Sequence, residues 1–279
     1  MALDPRITPA RADLAAAHLR GKVQAPRFVE GTAQEVIVGI APLRKDPSHD
    51  AALLTEALCG EHITIYETDE EGWAWGQLES DKYVGWLPAV ALLAPQGKAT
   101  HKVAALRTFV FPGPSIKLPP IDALPLGAKV AVAREQESFA VTASGGFVPK
   151  QHLAPLASVE PDFVALAERF VGTPYLWGGK SSLGIDCSGL VQVALTACGV
   201  PCPRDSDMQE AALGKPASLA GLQSGDLIFW KGHVAIARGR NSMIHANAFH
   251  MAVAIEPVAE ALARIGAAGS QVTSVRRLK

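Results

Sequence analysis

Short runs of alternating apolar and polar residues fill the first half of the chain, and Gly, Pro and Asp residues separate them. Two stretches carry the same landmarks at the same internal spacing: Gly85-Trp86-Leu87-Pro88 with Leu92, and Gly146-Phe147-Val148-Pro149 with Leu153. Alternation with a period of two is typical of strands, so the repeat predicts two antiparallel β modules of about 60 residues each. Duplication of one module is the interpretation we favour over a chance likeness of two β barrels.

The pattern changes after the second module, where apolar residues recur at spacings of three and four. The run from Phe163 to Phe170 predicts a helix that ends at Gly172. A second helix is predicted to begin at Cys187 or Ser188 and to stop at Gly199. Hardly any charged residue lies along this second helix, so we expect it to be a buried, central helix.

Strand-like periodicity returns after a polar connector. Five runs share it: Asp226–Trp230, His233–Ala237, Ser242–Ala246, Met251–Ile255 and Gln271–Arg277. Helices followed by a set of antiparallel strands predict an α+β domain.

Bulk composition narrows the classes of protein. A chain of 279 residues can form two or three domains, and the net charge of −1 without a Lys/Arg block gives no reason to expect nucleic acid or an anionic membrane as partner. The longest apolar run near the N-terminus is Leu14–Ala17, far shorter than a signal-peptide core, and no stretch approaches the ~20 apolar residues of a membrane span. We therefore expect a cytoplasmic protein. The sequence leaves the oligomeric state open.

The chain has four cysteines, at positions 59, 187, 198 and 202, without a CxxC pair or a metal-ligand spacing with histidine. A disulfide or zinc framework is therefore not expected. Cys187 has the most distinctive context, because glycines surround it and a helix is predicted to start there. Unpaired backbone N–H groups at a helix start favour a thiolate and can hold an oxyanion, so Cys187 is a candidate nucleophile. The alternative is a buried structural cysteine.

Two histidines lie where they could serve this cysteine. If residues 238–240 form a three-residue loop, Ala237 faces Asn241 and His233 faces His245 across a hairpin. One histidine could then take the thiol proton while the other orients its ring. The alternative is a pair of hydrogen-bonded histidines without a catalytic role. A zinc site is a poor alternative, because His250 is expected to be exposed.

Four motifs in this region occur in the order of a known family: PYLWGG, DCSGL, GDLIFW followed by GHVAI, and MIHA. Residues 160–279 thereby resemble the NlpC/P60 family of bacterial cell-wall cysteine peptidases, which implies a papain-like catalytic domain. The two β modules look like bacterial SH3-like domains. Together they are similar to γ-D-glutamyl-L-diamino acid endopeptidases that process muropeptides.

The resemblance implies an α+β protein in which a papain-like NlpC/P60 catalytic domain follows two small SH3-like β barrels. The expected divisions are an N-terminal extension (1–30), a first SH3-like domain (31–96), a second SH3-like domain (97–157) and the peptidase domain (158–279).

The resemblance also implies roles for individual residues. Cys187 becomes the nucleophile, His233 the general base and His245 the residue that orients the base. The residues implied to line the substrate end of the cleft are Tyr175, Asp186, Ser188 and Ser206. Asp186 could pair with the free amine of an N-terminal L-alanine or simply cap the helix. Ser206 could equally be a turn residue.

The expected reaction is hydrolysis of the amide after D-glutamate in a muropeptide or a peptidoglycan stem peptide, during cell-wall recycling, without metal or organic cofactor. Three alternatives stay open at this point. The same thiol could transfer the acyl group to an amine, the protein could bind peptidoglycan without catalysis, or it could be a scaffold with a redox-active thiol.

Overall fold

The computed structural model describes residues 3–95 and 97–278. The chain divides into two compact units, Met1–Ser158 and Val159–Lys279. Across the described residues, no helix combines the length and the apolar character that crossing a membrane requires.

The first unit is built from strands. A parallel pair, β1 and β2, precedes a seven-stranded sheet in the order β5-β4-β8-β7-β6-β3-β9. Their bounds are β1 Leu14–Ala16, β2 Arg27–Val29, β3 Thr32–Val36, β4 Ile40–Arg44, β5 Leu53–Leu58, β6 His62–Thr68, β7 Trp73–Leu78, β8 Val84–Pro88 and β9 Leu92–Leu93. Strand β6 shows why the sheet forms, because Ile63 and Ile65 are buried while His62 and Thr68 at its ends are exposed.

The predicted N-terminal extension packs on this sheet. Leu14 is fully buried in a cluster with Trp73, Trp75 and Trp86. The guanidinium of Arg11 lies 4.6 Å from the ring centre of Trp75 and 4.8 Å from that of Trp86. Residues before position 31 therefore complete the hydrophobic core of the strands that follow them.

Residues 101–155 form three smaller antiparallel sheets, β13-β10-β17, β11-β12 and β14-β15-β16. Their bounds are β10 His101–Val103, β11 Arg107–Val110, β12 Asp122–Pro125, β13 Lys129–Val130, β14 Val132–Gln136, β15 Phe139–Thr142, β16 Phe147–Pro149 and β17 Leu153–Pro155. The repeated sequence motif has the same local structure in both places. In each, a strand ends at Pro88 or Pro149, one 3-10 turn follows, and a new strand starts at Leu92 or Leu153. The division into two SH3-like barrels stays a prediction.

The second unit combines helices with a six-stranded antiparallel sheet in the order β20-β25-β21-β22-β23-β24. The helices are α1 Phe163–Glu168, α2 Cys187–Ala197, α3 Ser206–Ala212 and α4 Val258–Ala267. The strands are a short pair, β18 Lys180–Ser181 and β19 Gly184–Ile185, and then β20 Lys215–Ala217, β21 Asp226–Trp230, β22 His233–Ala237, β23 Ser242–Asn247, β24 Ala252–Pro257 and β25 Val272–Arg277. The five predicted strands lie within two residues of observed ones.

Strand β22 is the centre of this unit. Helix α2 packs against β22 and β23, as its uncharged sequence predicts. Val234 and Ile236 on one face of β22 are fully buried, and so are Ala235 and Ala237 on the other. Ala235 and Ala237 belong to a cluster that includes Val258 of α4. Both faces of β22 are therefore covered, and its first residue, His233, is only partly buried.

Two helices were not predicted. Helix α3 lies in the segment predicted to be a polar connector. Helix α4 has apolar residues at 258, 261, 262 and 265, which is the spacing of one helical face and the signal that would have revealed it.

Candidate active site

The predicted nucleophile, Cys187, is the first residue of α2. The helix starts here because Asp186 is extended and its Oδ1 accepts a 2.7 Å hydrogen bond from the backbone N of Gly189. Gly189 must be a glycine, because a Cβ at this position would lie 2.4 Å from the carbonyl oxygen of Gly179. The thiol is therefore held at a rigid helix start, and the residue is 6% exposed.

A buried ion pair lies beside the nucleophile. Arg204 donates from Nη2 to Oδ2 of Asp186 at 2.7 Å and from Nη1 to Oδ1 at 2.9 Å. Oδ2 also accepts from the backbone N of Gly178 at 2.9 Å, and Nη1 of Arg204 contacts Oγ of Ser188 at 3.0 Å. Both oxygens of Asp186 are engaged within the protein, which favours helix capping of the two roles left open. The ion pair fixes the preceding glycine loop to the start of α2.

The other predicted substrate residues come from neighbouring segments. Tyr175 is half-buried and pairs with Ile185 through an isolated parallel bridge. Burial raises the pKa of Tyr175, and the negative forms of Cys187 and Asp186 raise it further, so the phenol lies within their electrostatic reach. The phenol stays protonated at neutral pH and can donate a hydrogen bond.

Two serines complete the predicted substrate set. Ser188 is buried in the first turn of α2, and Ser206 is the buried first residue of α3. Nε2 of Gln209 donates to the carbonyl oxygen of Ser188 at 2.9 Å and to that of Pro203 at 2.9 Å. This amide ties α3, and with it Ser206, to the start of α2.

The two histidines meet, although the predicted hairpin register is wrong. Ala237 pairs with Met243 rather than with Asn241, a shift of two residues. The shift arises because the loop comprises residues 239–241 and begins at Gly239, whose φ of +147° suits glycine. Side chains alternate with a period of two, so a two-residue shift keeps both histidines on one face. Nε2 of His233 lies 2.8 Å from Nδ1 of His245.

Sequence reasoning missed a carboxylate behind these histidines. Nε2 of His245 lies 2.6 Å from Oε1 of Glu256. Arg264 of α4 donates to both oxygens of Glu256, from Nη1 to Oε2 at 2.6 Å and from Nη2 to Oε1 at 2.7 Å. The strand prediction ended at Ile255, one residue before Glu256. The sequence did contain a signal for it: Glu256 is an acidic residue near the end of the run that follows the strand of His245.

Burial dominates the electrostatics of the cysteine and of the first histidine. It raises the pKa of the Cys187 thiol to about 12, and the backbone N–H groups of Val234 and Ser188 oppose this only in part. Burial, followed by the nearby His245, lowers the pKa of His233 to about 3. The helix start was expected to favour a thiolate, but desolvation outweighs it. Burial therefore favours a neutral thiol and a neutral imidazole in the resting site.

These shifts predict that acid destabilises the second unit. The folded-state pKa of His233 lies below the 6.5 of an ordinary histidine, so the unfolded chain binds more protons between about pH 3 and 6.5. Glu256, with its pKa lowered to about 2, acts in the same direction between about pH 2 and 4.5. Stability should fall by about 1 kcal/mol per pH unit on acidification from pH 6 to 4.

The measurement is urea unfolding at several pH values. His233→Gln should give a shallower loss of stability than the wild-type chain across this window, because the variant lacks one group that protonates on unfolding. Equal slopes for the two proteins would contradict the assignment of the pH dependence to His233.

One set of side chains resembles a metal site. The ligand atoms of His245, His250 and Glu256 lie within 4.8 Å of one another, a combination that transition metals accept. His250 is exposed, as expected, and its Nδ1 lies 3.0 Å from Oδ1 of Asn247. However, the guanidinium of Arg264 engages both oxygens of Glu256, and its fixed charge opposes a cation there.

Comparison with known proteins assigns the chain to a family. The model of the bacterial dipeptidyl-peptidase SH3 domain matches residues 43–92, and the NlpC/P60 family model matches residues 172–264. A γ-D-glutamyl-L-lysine dipeptidyl-peptidase of Bacillus cereus is 30% identical over 240 residues, which is 74% of this chain and 71% of the relative. The protein of the same name from Bacillus subtilis is 30% identical over 224 residues, 71% of this chain and 73% of the relative.

A further relative is dipeptidyl-peptidase 6 of Lysinibacillus sphaericus, 29% identical over 76% of this chain and 86% of its own length. The fold resembles the crystal structure of an NlpC/P60 family protein from Bacillus cereus, with a TM-score of 0.75 and 21% identity over 88% of this chain and 99% of that one. Because two relatives at 30% identity align over more than two thirds of their own lengths, the chain belongs to the NlpC/P60 family and is a peptidase.

Proposed function

We propose that this peptidase hydrolyses the amide between the γ-carboxyl of D-glutamate and an L-diamino acid in peptides derived from peptidoglycan. The observation that carries the proposal is the hydrogen bond between His233 and His245. His233 is the first residue of β22, and β22 packs against the helix that begins at Cys187. The two relatives at 30% identity that carry the name γ-D-glutamyl-L-lysine dipeptidyl-peptidase support the bond chosen.

The proposed mechanism starts from the neutral pair. As the sulfur of Cys187 attacks the γ-carbonyl carbon, Nδ1 of His233 takes the thiol proton, because its Nε2 is engaged by His245. The backbone N–H groups at the start of α2 stabilise the oxyanion. His233 then gives its proton to the leaving amine, and a thioester forms. Water attacks the thioester carbonyl while His233 takes one of its protons. The C–S bond then breaks, His233 returns the proton to the sulfur of Cys187, and the peptide with a free γ-carboxyl group leaves.

The substrate end of the site sets the length of the released product. Asp186, Tyr175, Ser188 and Ser206 supply one buried carboxylate and three hydroxyl groups within two neighbouring helices and the preceding loop. We propose that the three hydroxyl groups accept hydrogen bonds from the ammonium of the N-terminal L-alanine, while Asp186, whose oxygens cap the helix and bind Arg204, adds negative charge to the same end of the site. Intact wall peptides have this nitrogen tied up in an amide, so a requirement for the free amine directs the enzyme to released fragments and to recycling.

The test compares four peptides by mass spectrometry of the products. L-Ala-γ-D-Glu-L-Lys and L-Ala-γ-D-Glu-diaminopimelate should release L-Ala-γ-D-Glu. The α-linked isomer L-Ala-α-D-Glu-L-Lys serves as the matched control and should stay intact, because its scissile carbonyl lies at a different distance from the ammonium. The N-acetylated γ-peptide should react at least about 10-fold more slowly, since an uncharged amide loses a charge-assisted hydrogen bond of about 1.5–3 kcal/mol.

Each result has one meaning. Cleavage of the α-linked isomer at a rate similar to that of the γ-peptide would contradict the proposed bond specificity. Equal cleavage of the acetylated peptide would contradict the free-amine requirement while leaving the γ-glutamyl specificity standing. A product carrying an added amine acceptor in place of water would show acyl transfer instead of hydrolysis.

A further inference from the structure

The carboxylate behind His245 is placed to control which nitrogen of that ring carries the proton. Glu256 is 7% exposed and His245 is 1% exposed, so water does not compete for the bond between them. Glu256 is ionised at neutral pH, because hydrogen bonds from Arg264 and His245 hold its pKa at about 2 against the effect of burial. An ionised carboxylate only accepts hydrogen bonds, so the Nε2 atom of His245 must be the donor.

The tautomer of the second ring then fixes the tautomer of the first. A neutral His245 with its proton on Nε2 has a free lone pair on Nδ1, and this atom can only accept. Its partner at 2.8 Å, Nε2 of His233, must therefore be the donor. A neutral His233 protonated on Nε2 carries its lone pair on Nδ1. This is the nitrogen required to take a proton from Cys187.

The cation on Glu256 contributes in two ways. Arg264 donates hydrogen bonds to both oxygens of the carboxylate and so fixes its orientation. Burial lowers the pKa of His245 against the raising effect of Glu256, and the charge of Arg264 lowers it further. A neutral His245 keeps its accepting lone pair, whereas a protonated one would donate from both nitrogens. The guanidinium of Arg264 also lies 4.1 Å from the ring centre of Phe249, which is a cation–π contact.

We propose that Glu256, oriented by Arg264, is a positioning residue for the peptidase, setting the tautomer of His245 and through it making Nδ1 of His233 the base. The inference rests on the proposed roles of His233 and His245. Histidine in the orienting position can present either a donor or an acceptor, and the carboxylate removes this ambiguity.

The experiment uses Glu256→Gln in the full chain, with Glu260→Gln as the matched control. The side-chain amide of glutamine has one accepting oxygen, and the guanidinium of Arg264 attracts that oxygen. The NH2 group of the glutamine then points toward Nε2 of His245 and donates to it. That ring then protonates on Nδ1, which forces the proton of His233 onto its own Nδ1. A misplaced tautomer of this kind lowers kcat by up to about 10⁴-fold in serine peptidases. For Glu256→Gln we expect a fall in kcat of at least about 100-fold with KM within about threefold.

The control makes the same chemical change on the neighbouring helix. Glu260 is exposed on α4, so its replacement should leave kcat within about twofold. Long-range ¹H–¹⁵N NMR of the histidine rings adds a readout that needs no substrate. The wild-type chain should show His245 protonated on Nε2 and His233 on Nε2. In Glu256→Gln both protons should move to Nδ1.

Two results would overturn the inference. One is a wild-type spectrum with His245 protonated on Nδ1. This measurement does not need the variant, so it is decisive even if Glu256→Gln fails to fold. The other is a folded Glu256→Gln protein with kcat within about threefold of wild type. If the wild-type chain cleaves no γ-glutamyl peptide, the proposed substrate fails, whereas the tautomer measurement still decides the role of Glu256.

Discussion

Replacement of Cys187 with alanine is expected to lower kcat for a γ-glutamyl peptide by at least about 10⁴-fold, because the proposed thioester forms on this thiol. The residue begins α2, and the backbone N–H of Val234, next to the predicted base, acts on its sulfur. Binding of the peptide should be retained, because the alanine keeps the helix start and the hydrogen bonds of Asp186. The measurement is product formation by liquid chromatography with mass spectrometry, together with peptide binding by calorimetry.

Cys198 provides the matched control for this substitution. It caps the C-terminal end of the same helix, so Cys198→Ala removes a thiol from α2 without touching its start. Its kcat should stay within about threefold of wild type. Residual activity of Cys187→Ala above one hundredth of wild type would exclude this thiol as the nucleophile. Loss of peptide binding in the same variant would show that the substitution disturbs the site itself.

Replacement of Arg204 with alanine is expected to destabilise the start of α2 by about 3–5 kcal/mol, because it leaves the carboxylate of Asp186 buried without its cation. Arg204 is 1% exposed and makes paired contacts with both oxygens of Asp186. Hydrogen exchange of peptides covering α2, followed by mass spectrometry, should show protection lowered by about 10²–10⁴-fold.

Two further variants test whether the unpaired charge of Asp186 causes the loss of protection in Arg204→Ala. Arg169→Ala removes an exposed ion pair with Glu160 in the same unit and should change exchange by less than about fivefold. The double variant Asp186→Asn with Arg204→Met removes both charges and should recover part of the lost protection. A double variant as unstable as Arg204→Ala would attribute the loss to packing rather than to an uncompensated charge.

Periodicity was enough to predict the elements that carry the catalytic candidates. The helix beginning at Cys187 follows from apolar spacing and a capping aspartate, and the strand beginning at His233 follows from alternation. Both signals are local, since they depend on residues a few positions apart. The family motifs occur in these same two elements, and they contain the predicted nucleophile, Cys187, and the predicted base, His233.

Partners that lie far apart in the sequence escaped prediction. Arg204 pairs with Asp186 across 18 positions, and Arg264 reaches Glu256 from a helix whose apolar spacing was overlooked. No periodicity encodes such ion pairs, because charged residues in turns and at strand ends are normally solvated. The hairpin register was also wrong, because it depends on which loop residue adopts an unusual φ, and here that residue is Gly239.

The packing of the N-terminal residues on the first sheet changes where this protein can be cut into parts. The guanidinium of Arg11 lies over the rings of Trp75 and Trp86, and Leu14 is buried in the same cluster as these tryptophans. The backbone N of Val84 donates to the carbonyl oxygen of Arg6 at 2.8 Å. A fragment starting at residue 31 would expose two indole faces to water and lose a cation that is paired with Glu67. Such a fragment would be prone to self-association, so a recombinant first module should begin before residue 6.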